Sequence, residues 1–246
     1  MKVALIVVRY PKWFGWAGFF SMAFFRFALW FNPNYSFWKL MGCGRNGTFD
    51  KTPDWRQWAV LLVYSDKWIV NSKELPTTHY PLNTSHYPLP TFLLAWWRFF
   101  GCEKWELVLN PVEGHGYWDG KKVFGELPRK TDYEGPIAVL TRATIRLNKL
   151  HRFWKYVDPV ASQMTGAKGF ITSIGIGEVP WIKQATFSIW ESKEAMKNFA
   201  YSLPEHAEVI RKTHKENWYS EELFVRFKVI SSTGTLNGKL PFKINM

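Results

Sequence analysis

Apolar positions along the chain gather into short strand-like runs separated by helix-like stretches, and the whole pattern occurs twice. Val3 to Val8 and Trp105 to Leu109 predict the opening and closing strands of a first half, and Ile137 to Thr141 and Leu223 to Val229 those of a second. Between them, Ala59 to Lys67 (AVLLVYSDK) lines up with Ala185 to Lys193 (ATFSIWESK): a strand, an aromatic residue, then a helix start. Each of these is preceded by a Gly-x-Gly segment, Gly42-Cys43-Gly44 and Gly175-Ile176-Gly177, expected to be a loop. Helical patterns fill Trp13 to Phe31, Lys67 to Glu74, Leu89 to Phe100, Leu147 to Val157, Lys193 to Tyr201 and Glu205 to Trp218.

Strand, helix, strand, strand, helix, strand, twice over, is an α+β arrangement of tandem ferredoxin-like (βαββαβ) repeats. A sheet with helices on one face must bury the other, and two such sheets can do so by facing each other, which predicts a tandem α/β barrel. The expected division is 1–112 for the first repeat, 113–136 for a linker rich in Gly, Pro and charge, 137–231 for the second repeat, and 232–246 for a frayed tail.

Composition changes this picture in one respect. Of 246 residues, 15 are Trp, 20 Phe and 10 Tyr, more flat apolar surface than a core of this size needs. Much of it lies in WFGWAGFFSMAFFRFALWF (Trp13 to Phe31) and LPTFLLAWWRFFG (Leu89 to Gly101), each with a single Arg, Arg26 and Arg98. The first run is barely as long as a membrane span, carries a charge and lacks the flanks of a signal peptide. Both are expected to be helices packed on each other, on a partner subunit in a homo-oligomer, or on lipid as a peripheral membrane contact.

The net charge of +12 divides evenly between the halves. With no basic stripe or module signature, nucleic acid is not an expected partner. Two cysteines make no disulfide framework, and a reducing, cytoplasmic setting fits. Gly42 to Gly47 matches GxGxxG formally, but not in the strand-to-helix context that a dinucleotide needs. No Ser-His-Asp, HExxH or P-loop arrangement stands out.

The histidines and one arginine are where chemistry can sit. His79, His86 and His115 are expected in loops and His151 on a charged helix, all solvated. At about 100° per residue, His206 shares a stripe with Val209, Ile210 and Thr213 and points inward, while His214 turns toward the charged side. A buried histidine with a hydrogen-bond partner and an iron or haem ligand are both open for His206. Strand alternation sends Leu140, Arg142 and Thr144 to one face. Arg142 is then an edge arginine with its head in water, or a guanidinium that binds a propionate or steadies an iron-bound oxygen, with Glu178 as its partner or a simple turn residue. Cys43 and Cys102 are expected to be buried, inert thiols rather than thiolate ligands.

AVLTRATIR (Ala138 to Arg146), FWKYVDPVASQM (Phe153 to Met164), GIGEVPWIKQATFSIW (Gly175 to Trp190) and ENWYSEELFVRF (Glu216 to Phe227) resemble the spheroidene monooxygenase family of carotenoid biosynthesis. FWKLMGCGRNGTF (Phe37 to Phe49) and WRQWAVLLVY (Trp55 to Tyr64) look like the matching first-half segments. The resemblance implies membership of the dimeric α/β-barrel group and an oxygenase that inserts oxygen into an acyclic carotenoid or another hydrophobic substrate. It also implies haem b as the iron cofactor, molecular oxygen as co-substrate and an external electron donor. It places the proximal ligand at His206, within PEHAEVIRK. Dehydratase or peroxidase-type haem chemistry and a non-enzymatic lipophile-binding module remain alternatives.

Overall fold

The computed structural model of the chain describes residues 1–45, 47, 51–65, 89–202, 211–213 and 215–244, with the backbone alone for 157–162 and 201–202. Eight strands close into one antiparallel barrel: β1 (Val3–Arg9), β2 (Tyr35–Gly44), β3 (Pro53–Tyr64), β4 (Glu103–Gly116), β5 (Ile137–Ile145), β6 (Phe170–Val179), β7 (Lys183–Trp190) and β8 (Tyr219–Gly234). Around the barrel they follow the order β1-β3-β2-β6-β7-β5-β8-β4. Each half thus lays its strands out as fourth, first, third, second, which is the ferredoxin-like order. The predicted duplication is a tertiary repeat. Outside the barrel lie α1 (Gly15–Trp30) and α2 (Thr91–Phe99) on the first sheet, and α3 (Leu150–Gln163) and α4 (Lys193–Ser202) on the second.

The continuous apolar run of β1 follows from burial on both faces. Val3, Leu5 and Val7 enter the barrel with Leu61, Leu107, Leu140, Phe187 and Val225, while Ala4, Ile6 and Val8 face α1 and α2. The barrel interior is filled by its own side chains. Gly18 lets α1 sit close to β3: a Cβ there would stand 2.2 Å from Nε1 of Trp58.

Several predicted boundaries move. Both Gly-x-Gly segments lie in strands, not loops, and they meet where the repeats join, Gly42 opposite Gly177 and Cys43 opposite Ile176. β4 continues to Gly116, and Trp118, Val123 and Phe124 beyond it are buried among the interior residues of the barrel. The chain between the halves caps the barrel because a closed barrel leaves an open end that apolar side chains can fill. The tail is likewise not frayed over its described residues. β8 runs to Gly234, Phe242 is buried in the barrel core, and Ser232 Oγ donates a hydrogen bond to the Phe242 carbonyl at 2.7 Å. The helix expected over Lys67 to Glu74, and half of that over Glu205 to Trp218 (205–210 and 214), fall outside the described residues.

Candidate active site

The helix-facing side of the second sheet is where the repeat departs from its partner. Across β6, β7, β5, β8 and β4 one row reads Gly175, Thr186, Thr141, Phe224, His115, and the next reads Ser173, Ser188, Val139, Arg226, Glu113. Thr141 is exposed although β5 is flanked on both sides by strands. Next to it Thr186 is buried, and its Oγ1 has no hydrogen-bond partner among the described residues. An exposed threonine beside a buried hydroxyl with no partner among the described residues marks this strip of the sheet, under its helices, as the candidate binding trough.

Aromatic residues cluster to either side of this strip. Toward one end, Ile145, Phe153, Trp154 and Trp218 form one cluster under α3. Toward the other, Val139, Trp190 and Met196 form a second under α4, with Phe199 against Trp190 at 5.3 Å between ring centroids. Ser188 Oγ is taken up by the Trp190 indole, which donates to it at 2.9 Å. At the far end of the same row the buried Glu113 carboxylate accepts from Arg226 and from the Thr131 backbone N–H, at 3.0 Å for the latter, with Lys193 3.7 Å away. Burial lowers the pKa of Arg226.

The pattern of the sequence does not single out Thr141, Thr186 and Ser188, though it holds a signal for two of them. In the alignment of AVLLVYSDK on ATFSIWESK, Thr186 and Ser188 stand where Val60 and Leu62 stand, and a hydroxyl in place of an aliphatic side chain on a helix-covered face needs a reason.

Arg142 lies on the opposite side of β5, in the barrel, and is 1% exposed. The structure brings it together with Glu178, whose Oε1 accepts from Nη2 at 3.1 Å, and with Glu221, which accepts from Nη1. Asp119 stands 3.7 Å away, and the Trp118 ring lies 5.3 Å from the guanidinium carbon. Glu178 sits in an irregularity near the end of β6 rather than in a loop, and also takes the Trp118 indole N–H at 2.8 Å and Lys39 at 2.5 Å. Asp119 further binds Lys39, and Lys183 at 2.8 Å. Burial pushes the Asp119 carboxyl up, but the hydrogen bonds and charges of Lys183 and Lys39 outweigh it and hold it at about 2. Glu221 is also lowered: burial opposes this, and the Gly120 and Asp119 N–H groups and Arg142 overcome it. Both terminal nitrogens of Arg142 are therefore committed to carboxylates, and neither faces the trough. This network pins the cap to the barrel and ties Lys39 of the first half to Glu178 of the second.

His206 and His214 lie outside the described residues, as do His79 and His86. His115 is on β4, not in a loop, and its ring packs 5.7 Å from that of Phe224 at the rim of the trough. His151 lines an open surface cleft with Lys51, Trp154 and Trp181. Cys43 is buried in the barrel and Cys102 partly buried, and burial pushes both thiols up to about 12, which disfavours the thiolate form. Among the described residues no group of three or more His, Cys, Asp or Glu is placed to hold a metal ion.

No helix among the described residues is long and apolar enough to cross a membrane. No protein-family model matches the chain. The fold is similar to that of a crystal structure of aldoxime dehydratase, with a TM-score of 0.57 and 9% identity over 93% of this chain and 80% of that one. At the level of sequence, the chain is 34% identical over 211 residues to spheroidene monooxygenase of Cereibacter sphaeroides, covering 85% of this chain and 60% of that protein's length. It is 31% identical over 210 residues to spheroidene monooxygenase of Rhodobacter capsulatus, covering 85% and 81%. With this identity over most of both sequences, the chain belongs to the spheroidene monooxygenase family.

Proposed function

We propose that this chain is a haem-dependent monooxygenase acting on a carotenoid-like or other long hydrophobic molecule, with the second-half trough as its site. The observation that carries it is the exposed Thr141 beside the orphaned Thr186 hydroxyl, between two clusters of aromatic residues on the helix side of the sheet. Polar atoms are rarely buried without a partner, and one left open between indole walls points to a ligand with a polar edge and an apolar body.

His206 would supply the iron ligand, and the hydroxyls of Thr141, Thr186 and Ser188 the polar floor. Bound haem supplies the electron transfer by which molecular oxygen puts one atom into a C–H bond and releases the other as water, drawing two electrons from an external donor and two protons. The chain's own residues do the rest. Trp154, Trp190 and Trp218 exclude water from the space above the sheet, and Thr186 Oγ1 can donate a proton into a hydrogen bond at the polar edge of the bound group. Arg142 and Glu178 act as positioning residues that fix the barrel cap, since they lie across the sheet from this space.

Absorbance spectroscopy after haem reconstitution tests the proposal. Wild-type protein should develop a Soret band. His206→Ala should lose it, as should a variant combining Thr141→Ile, Thr186→Val and Ser188→Leu, with unchanged far-UV circular dichroism in both. Wild-type protein that takes up no haem would overturn the reading, and so would a filled trough that still binds haem as tightly.

A further inference from the structure

We propose that the outer face of α1 and α2 docks on the surface of an anionic phospholipid bilayer. Apart from the exposed Arg26 and the buried Ser21, α1 is apolar all the way round: Ala17, Phe25 and Leu29 face the first sheet and are buried, while Trp16, Phe19, Phe24, Phe27 and Trp30 point outward. Trp30 is 77% exposed and Phe27 69%. A helix without a polar face is stable only with apolar surroundings on both sides, and this protein provides one of them. The face continues onto α2 through the ring contacts Trp16–Phe100 and Phe24–Trp96, each 5.9 Å between centroids, and ends on Phe92 and Phe99, both exposed. Such a patch exceeds the scattered apolar residues that a protein surface ordinarily tolerates.

Charge identifies the occupant. From Lys12 to Phe31 and from Thr91 to Cys102 there is no acidic residue, whereas Lys12, Arg26 and Arg98 are present and exposed. A second copy meeting this face about a two-fold axis would bring the same cations together with no carboxylate to receive them. Lipid phosphates complement them, at roughly 1 kcal/mol for each basic residue near an anionic surface. Indole rings favour the boundary between headgroups and acyl chains, and Trp13, Trp16, Trp30 and Trp55 stand on this side of the molecule, all exposed. Sixteen helical residues reach about 24 Å, short of the roughly 30 Å of a hydrocarbon core, so α1 would lie in the interface and not cross it.

Flotation of the full chain with phosphatidylcholine vesicles, with and without phosphatidylglycerol, tests the inference. Wild-type protein should float with the phosphatidylglycerol vesicles and be released by salt. Arg26→Glu with Arg98→Glu should weaken that association at least about tenfold, since both favourable charges become unfavourable. Trp16→Ser with Phe19→Ser and Phe27→Ser should abolish it on both kinds of vesicle, with melting temperature unchanged because all three side chains are exposed. Association indifferent to phosphatidylglycerol would overturn the inference. So would a wild-type dimer that ignores vesicles and falls to monomers when the three aromatics are replaced, which would assign the face to a second copy. Haem uptake is measured on the same variants and should not change, so failure here and failure of the oxygenase reading are separable.

Discussion

The two sheets of the barrel are built on one plan and finished differently. On the helix side of the first sheet, Ile6, Val60 and Leu62 are at most 1% exposed and pack against Phe25, Leu29, Leu93 and Trp97 in one continuous cluster. At the corresponding positions of the second sheet stand Thr141, Thr186 and Ser188, and the apolar residues split into two clusters. The first half fills its helix-facing side with aliphatic residues and leaves aromatics outside; the second places hydroxyls on its helix-facing side with indoles to either side of them. A duplicated scaffold can thus assign stability to one copy and binding to the other, because hydrophobic cores tolerate no holes and sites require them.

The sharpest way to break this contrast is to give the first sheet the chemistry of the second. Leu62→Ser should cost roughly 3–5 kcal/mol, the loss of a buried leucine plus an unpaired hydroxyl, read as a lower urea midpoint. A cost below about 1 kcal/mol would show that the first half is as open as the second.

Next comes the tie between the halves. Arg142→Met should destabilise by about 3 kcal/mol, because Glu178 and Glu221 lose the cation that neutralises them in the barrel end. If melting is unchanged while haem uptake is lost, Arg142 belongs to the ligand site after all.

Smaller still is the effect at Gly18, where helix propensity favours alanine by about 1 kcal/mol. The close approach of Trp58 should reverse that sign, so Gly18→Ala should lower the melting temperature by a few degrees. An increase would mean that Trp58 moves aside without penalty.

The least effect is expected from acid. A carboxyl held below its ordinary value contributes stability above that value and loses it as pH falls through the folded one, so the contribution of Asp119 should disappear between its usual 3.8 and about 2. Thermal melts across that window should fall less steeply in Asp119→Asn than in wild type.

Much of the fold was legible because both halves obey the same periodicities. The runs at Val3 and Ile137, and the paired segments at Ala59 and Ala185, sit on the first and third strands of each repeat. The Gly-x-Gly segments misled, since glycine punctuates turns and also permits strands to meet, and only the pairing of Gly42 with Gly177 distinguishes the two. The site was legible in part. Arg142 and Glu178 are together, yet they occupy the barrel side, and the helix side carries threonines that a linear pattern treats as ordinary strand residues.

The sequence by itself determined the duplication, the strand order within each repeat and the surplus of aromatic surface, because those depend on local period and on composition. Only the tertiary structure decided which face of each sheet was closed. Whether the hydroxyl at position 186 meets water, a partner or an empty space depends on what two neighbouring strands and two overlying helices bring to it, and those lie far away along the chain.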